Sequence, residues 1–222
     1  MKNILLIGLI LFSINVIGQV HSIGVQGGVN LSNYTSKIDF GNKAVKTGIL
    51  SGFNYEYLYK SKYTLGADLL YSQQGFKDEL KFYIVEEDAY RTSQVKFNYN
   101  YLSLPVKFGY TMGHQLKGFV KMGICPSLLL KAKLKVPKDY PDIQLLDDEN
   151  INFYNKIPKF DLGGLIEFGA AYELKNDLEL FSSFTYRKSF TTISTVEHFG
   201  GAQMKHYLFS MAMGLKYKLN AN

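Results

Sequence analysis

Apolar and polar residues alternate one by one over eight long stretches of the chain, and this pattern constrains the fold more than any other feature. The stretches are residues 23–32, 47–59, 63–75, 99–110, 117–130, 160–174, 178–188 and 205–219. A period of two places alternate side chains on opposite faces of a β-strand. The sequence therefore predicts eight β-strands, all longer than the usual five or six residues.

The connections between these stretches alternate in length. Residues 60–62, 111–116 and 175–177 form short connections, whereas residues 33–46, 77–98, 132–159 and 189–204 form long polar ones. Outer-membrane barrels have short periplasmic turns and long outer loops, while a soluble sandwich has no reason to sort its loops this way. We therefore predict an all-β fold, an eight-stranded antiparallel up-and-down transmembrane β-barrel with both chain ends on the periplasmic side.

The polar face of the strands is mostly Gly, Ser, Thr and Asn, which suits the crowded interior of an eight-stranded barrel. Its charged exceptions predict a lumen network of paired charges, with Lys216 as a further candidate partner. The predicted network is Glu56, Asp68, Lys107, Lys121, Asp161, Glu167, Glu179 and Arg187. Pro105 lacks the amide that a strand ladder needs, so we expect a bulge or local break there.

The N-terminus is typical of a secretory signal. Lys2 precedes an apolar run at residues 4–17 that is too short for a spanning helix and is interrupted by Ser13 and Asn15. We expect residues 1–18 to be a signal peptide cleaved between Gly18 and Gln19. Residues 19–222 are then expected to form one outer-membrane β-barrel domain in the cell outer membrane.

Composition excludes two function classes. The formal net charge is +6 over 222 residues, but the charges are scattered, so the basic stripe of a nucleic-acid-binding protein is missing. The single cysteine, Cys125, cannot form an internal disulfide, so the fold is not a disulfide scaffold.

Residues that could carry chemistry are few. The histidines at positions 21, 114, 198 and 206 are isolated, with no metal-ligand spacing and no nucleophile elbow. An acidic group in the third long loop matches no calcium-loop spacing, so a solvated loop is favoured over a Ca²⁺ site. This group is Asp139, Asp142, Asp147, Asp148 and Glu149. We therefore predict a non-enzymatic protein without a cofactor or bound metal.

Residues 101–110, Tyr-Leu-Ser-Leu-Pro-Val-Lys-Phe-Gly-Tyr, resemble the fourth strand of the PorT-like outer-membrane β-barrel proteins of Bacteroidetes. Residues 24–32 and 160–172 are similar to that family as well, so the resemblance covers nearly the whole mature chain. It implies an outer-membrane barrel, and it allows a role as an accessory subunit of a type IX-like protein secretion machine.

The chain departs from the family pattern in two places. Gly123 and Pro126 are separated in the fifth strand, and Leu219 stands where an aromatic residue commonly ends the last strand. Recognition by the barrel-assembly machinery is then expected to rest on Tyr217 together with Leu219.

The long loops are expected to present an interaction surface for an envelope protein partner, on a monomer surrounded by outer-membrane lipid. A general pore is disfavoured, because eight strands leave no aqueous channel. Three other hypotheses stay open at this point. They are the secretion accessory, a lipid-modifying rim enzyme that uses His198, and a soluble secreted barrel that holds an apolar ligand.

Overall fold

The computed structural model describes residues 20–36, 43–84, 89–135, 150–174, 177–194 and 203–220. The strands are β1 (Val20–Ser36), β2 (Ala44–Tyr59), β3 (Tyr63–Ile84), β4 (Ala89–Ser103), β5 (Val106–Gly113), β6 (Leu116–Lys135), β7 (Asn150–Asn152), β8 (Phe160–Glu173), β9 (Leu178–Ser189) and β10 (Met204–Asn220). A short 3₁₀ helix spans Tyr154–Lys156. Within these ranges, no helix has the length and apolar character needed to cross a membrane.

The strands form one closed antiparallel ring. Each strand of the ring pairs with the next one along the chain, and β1 pairs with β10 from Val20 opposite Asn220 to Ser36 opposite Met204. β4 and β5 together make one interrupted strand, because both lie between β3 and β6. The described strands thus build an eight-stranded up-and-down barrel, with β7 added to the edge of β6, and the predicted fold is confirmed.

The predicted local break at Pro105 is confirmed, since strand pairing stops at Ser103 and resumes at Val106. The ring stays sealed across the break. The Pro105 carbonyl accepts a hydrogen bond from the amide of Asp68 at 2.9 Å, and the amide of Leu104 donates to the carbonyl of Pro126 at 2.9 Å. The backbone groups that the proline interrupts therefore find partners on both neighbouring strands.

The two ends of the barrel differ. At one end, which we call the short-turn end, β2 and β3 are joined by a tight turn in which Lys60 and Ser61 have φ values of 49° and 54°. The described chain ends lie at this end too, because Val20 is opposite Leu58 of β2. The connections between β1 and β2, β3 and β4, β6 and β8, and β9 and β10 lie at the other end, which we call the loop end.

Large apolar side chains cover the outer face of the ring. Phe53, Met122 and Met213 are 64%, 62% and 61% exposed, and polar residues occupy the inner face. A continuous apolar surface of this kind is unfavourable in water and is the outer band of a membrane barrel.

The strands run farther toward the loop end than the sequence predicted. β3 is 22 residues long and β4 begins at Ala89, so the predicted long loop at residues 77–98 is largely a β-hairpin. β6 likewise continues to Lys135, inside the predicted loop at residues 132–159.

The predicted strand boundaries were wrong because, beyond the apolar band, the outward-facing residues become polar while several inward-facing ones become apolar. Phe76 of β3 and Phe97 of β4 face inward as a cross-strand pair, and their stacked rings are 4.5 Å apart. The period of two therefore continues beyond the band, but the apolar residues now lie on the inner face and the polar ones on the outer face. The predicted signal peptide at residues 1–18, His198, and the acidic residues at 139–149 lie outside the described residues.

Substitution of Gly75 tests the backbone conformation of β3 near the loop end. The Gly75 φ of +145° is a backbone conformation that residues with a side chain rarely adopt. A Cβ there would lie 1.9 Å from the Phe97 carbonyl oxygen. Strained backbone of this kind costs about 1–3 kcal/mol, so Gly75→Ala should lower the free energy of unfolding in detergent by that amount. Gly118→Ala is the control, because a Cβ at Gly118 meets nothing within 4 Å. Equal stability of the two variants would contradict this description of β3.

A candidate functional site in the barrel interior

The strand period brings charged side chains from seven different strands into the interior. Glu56 of β2, Asp68 of β3, Lys107 of β5 and Lys121 of β6 all face inward and are largely buried. Glu167 of β8 and Lys216 of β10 reach the same space. Charges that are far apart in sequence therefore become neighbours only because the ring closes.

Lys107 lies at the centre of the mid-lumen charges. Its Nζ donates to Asp68 Oδ2 at 2.6 Å and to Glu167 Oε2 at 3.0 Å. Both carboxylates and the ammonium group are less than a tenth exposed. One buried cation thus neutralises part of the charge of two buried anions, and removal of any one partner would leave an uncompensated charge.

The ion pairs continue from Lys107 without interruption to the short-turn end. Glu167 reaches Lys121 at 3.8 Å, Lys121 pairs with Glu56, and Glu56 binds Lys216 at 3.1 Å. Lys216 then reaches Glu179, which binds Lys117 at 2.8 Å. We call the whole set the ion-pair series: Asp68, Lys107, Glu167, Lys121, Glu56, Lys216, Glu179, Lys117, Glu173 and Lys218.

Cations and anions alternate along the ion-pair series, so its net charge is zero. This matters because a single unpaired charge in an interior shielded from water costs several kcal/mol. Lys121 and Lys216 also lie over the Phe119 ring, at 4.4 and 5.8 Å from its centroid, which adds cation–π attraction.

Asp161 and Arg187 form a separate pair closer to the loop end. Arg187 Nη2 lies 2.5 Å from Asp161 Oδ2, and the Ser189 hydroxyl donates to the same oxygen at 2.8 Å. The Thr191 hydroxyl donates to the other carboxylate oxygen at 2.6 Å. The buried carboxylate is thus held by three neighbours.

The structure thus places six of the eight predicted network residues in the ion-pair series, and Asp161 and Arg187 beside it. Sequence reasoning missed Lys117, Glu173 and Lys218. A signal for Lys117 was present, because Lys117 lies in the same strand phase as the inward-facing Phe119 and Lys121.

An aromatic cluster closes the interior at the loop end. Phe76 packs against Tyr34 with ring centroids 4.3 Å apart, and Tyr99 packs against His206 at 4.9 Å and Phe153 at 5.6 Å. We call this set the aromatic cap: Tyr34, Phe76, Val95, Phe97, Tyr99, Tyr101, Leu129, Ala132, Phe153, Ile157, Ile193 and Met204. Sequence reasoning missed it, although Phe153 and Ile157 stand out as apolar residues in a polar connection.

A cavity of about 50 Å³ lies between the ion-pair series and the aromatic cap. Asn30, Ser72 and Ser103 line it together with Lys107 and Arg187. This volume suits a few water molecules, each of which needs about 10–15 Å³ by the same measure. Within the described residues, the interior therefore contains a small cavity lined by both polar and apolar groups between two filled layers, instead of a channel.

The described residues bring no catalytic group together. His21 bonds Tyr55 at 2.8 Å, and the buried His206 has no hydrogen-bond partner on either ring nitrogen. Cys125 is buried, with its Sγ 3.6 Å from Ser127 Oγ. In the same part of the chain, no cluster of three or more His, Cys, Asp or Glu side chains is arranged to hold a metal ion.

The two residues of the expected assembly signal lie on the outer face of β10. Tyr217 and Leu219 are 49% and 41% exposed and stand opposite Ile23 and His21 of β1. They lie where the last strand closes the ring, at the short-turn end.

Lys107→Met tests the ion-pair series. The variant leaves Asp68 and Glu167 buried without their shared cation, so the free energy of unfolding in urea should fall by about 3–5 kcal/mol. Lys218→Met is the matched control, because its partner Glu173 is 36% exposed and exposed pairs contribute about 0–1 kcal/mol. Equal losses in the two variants would contradict a buried, coupled series.

Solved structures of outer-membrane proteins are similar to this chain, and the likeness to Neisserial surface protein A supports the barrel fold. Neisserial surface protein A is 10% identical to this chain, with a TM-score of 0.51, over 91% of this chain and 99% of that one. The outer membrane protein OprG of Pseudomonas aeruginosa is 12% identical, with a TM-score of 0.46, over 92% and 97% of the two chains. Ail of Yersinia pestis is 11% identical, with a TM-score of 0.44, over 89% and 99%.

No curated protein matches the chain. A family model described as outer membrane protein beta-barrel domain matches residues 19–194, which is well over half of the sequence. The closed ring, the apolar outer band and this match agree, and the chain belongs to the outer membrane protein beta-barrel domain family.

Proposed function

We propose that this protein is a non-enzymatic outer-membrane barrel whose loop end binds another envelope protein. The observation that carries the proposal is the length of the strands at that end. A transmembrane strand needs about 9–11 residues, whereas β3 has 22 and β6 has 20. About half of each strand therefore projects beyond the bilayer on the outer side.

The projecting strands are folded and packed. Phe76, Phe97 and Phe153 of the aromatic cap join β3 and β4 to the connection that follows β6. A surface held in place by its own core loses little entropy when a partner binds, which favours affinity. The loop end is thus suited to recognition.

Transport through the barrel is a weaker candidate. The ion-pair series fills the half of the interior near the short-turn end, and the aromatic cap fills the loop end. The cavity of about 50 Å³ between them is too small for a solute larger than a few waters. These observations support a role on the surface of the barrel.

The protein is further proposed to act as a monomer. β1 and β10 pair along their whole length, so the membrane-spanning part of the ring leaves no open sheet edge through which a second copy could add a strand.

A narrower assignment is that the chain is a PorT-like barrel, and that its partner is a component of a protein secretion machine. Support comes from the segment at residues 101–110. Tyr101 is buried in the aromatic cap, while Pro105 makes the break between β4 and β5. The motif thus has a structural role at each of its two characteristic residues.

Photo-crosslinking in intact cells tests the proposed surface. Gln94 is exposed on the projecting part of β4, and Leu65 is 53% exposed in the apolar band. A photoreactive residue at position 94 should give a discrete protein adduct, whereas the same residue at position 65 should react mainly with lipid. Mass spectrometry of the adduct then identifies the partner, and a secretion-machine component would support the narrower assignment.

Two results would overturn the proposal. One is the absence of any protein adduct from position 94 when the barrel is correctly inserted, as judged by heat-modifiable migration. The other is a change in the lipid composition of a deletion strain that His198→Ala fails to restore, because that result would indicate a rim enzyme.

A further inference from the structure

Five lysines lie on one outer face of β3, β4 and β6, just beyond the apolar band. Lys77 of β3 stands directly opposite Lys96 of β4, and Lys96 stands directly opposite Lys135 of β6. Lys131 and Lys133 occupy the two preceding outward positions of β6, opposite Asn100 and Asn98. We call these five residues the lysine rows.

Direct cross-strand pairing of like charges is destabilising, so the row formed by Lys77, Lys96 and Lys135 needs an explanation. Among the described residues, no carboxylate makes an ion pair with any of the five lysines. Lys96, Lys131 and Lys135 are exposed, and Lys77 and Lys133 are partly exposed. The positive charge is therefore concentrated and accessible from the side of the barrel.

The lysine rows continue an apolar surface. Leu128 and Leu130 of β6 are 50% and 47% exposed and end the apolar band on that strand. Lys131, Lys133 and Lys135 then follow in turn toward the loop end. One strand thus presents a surface suited to acyl chains below and a surface suited to anions above, which is the arrangement of a bound lipid.

The height of the lysine rows selects the kind of lipid. Outward-facing residues on a strand are about 7 Å apart along it, and the strands of a membrane barrel are tilted by about 35–45°. The levels of Lys131, Lys133 and Lys135 therefore rise about 15 Å above Leu128 along the membrane normal. The headgroup layer of a phospholipid bilayer adds only about 5–8 Å on each side. A glycerophospholipid headgroup would meet Lys131 alone, whereas a saccharide headgroup is tall enough to meet all three rows.

We propose that the lysine rows bind an anionic glycolipid of the outer leaflet, one that carries phosphate or carboxylate groups on its saccharide headgroup. Its acyl chains lie against Leu128 and Leu130. Its anionic groups neutralise the cross-strand lysines, which removes their mutual repulsion. The site lies on the lateral surface of the barrel, and it is independent of the protein-binding role proposed for the loop end.

The test uses the full barrel in zwitterionic detergent, with rough-type lipopolysaccharide as the glycolipid probe and phosphatidylglycerol as a short anionic lipid. The test variant is Lys96→Gln/Lys135→Gln. The matched control is Lys60→Gln/Lys62→Gln, which removes the same charge from exposed residues at the short-turn end. Binding is measured by native mass spectrometry, and stability by the midpoint of heat-modifiable migration.

Lipopolysaccharide should bind the native protein and the control equally, and it should bind the test variant about 25-fold more weakly, since each of the two lysines near an anionic surface contributes about fivefold. Without lipid, the test variant should unfold at a higher temperature than the native protein, because its cross-strand repulsion is gone. Added lipopolysaccharide should raise the midpoint of the native protein and leave that of the test variant nearly unchanged.

Three results would overturn the proposal. Equal binding by the test and control variants would show that the lysine rows do not hold the glycolipid. Phosphatidylglycerol binding as tight as that of lipopolysaccharide would contradict the argument from height. A lower unfolding temperature for the lipid-free test variant would show that the lysines pair with carboxylates of this chain, such as those at residues 139–149, and hence that the rows are occupied from within. The delipidated core saccharide is tested as a separate ligand. It should bind more weakly than lipopolysaccharide, because it lacks the acyl chains that contact β6.

Discussion

The pairing of β1 with β10 is the interaction on which the rest of the structure depends. In a bilayer no water is available to an unpaired backbone group, so a sheet can span it only when its first and last strands meet. Here the two strands pair in unbroken register from Val20–Asn220 to Ser36–Met204. Closure turns an apolar sheet face outward to lipid, and it also forces the other face, with all its charges, into a narrow interior.

Closure explains why the interior charges must cancel. Most of these side chains would be costly to bury without a partner, yet strand alternation directs Glu56, Lys107 and Glu167 into the interior. The ring brings cations and anions from different strands together in alternating order, so every buried charge in the ion-pair series has an opposite neighbour. The neutral interior that results is a condition of folding, and it leaves little room for function inside the barrel.

Sequence reasoning could predict what depends on the period of two. It located the eight strands, the break at Pro105, and which charges point inward. It could not predict which inward charges meet. Asp161 and Glu167 lie on the same strand, and only the register of β8 against β9 shows that Asp161 pairs with Arg187 and not with the ion-pair series. It also ended β3 too early, since the outward residues there change from apolar to polar while Phe76 remains in phase. The aromatic cap depends on Phe153, which reaches it from a connection without strand periodicity.

The contrast between the two ends of the barrel indicates where selection for function acts. At the short-turn end the chain reverses in a few residues, and the ion-pair series ends at a partly exposed pair, Glu173 with Lys218. At the loop end the strands continue past the bilayer, with a core of their own and with lysines placed opposite lysines. Neither feature is required for insertion into a membrane, and the second opposes stability. Extra strand length that carries its own core, with lysines that make no ion pair to any carboxylate among the described residues, is best explained by contacts made outside the barrel.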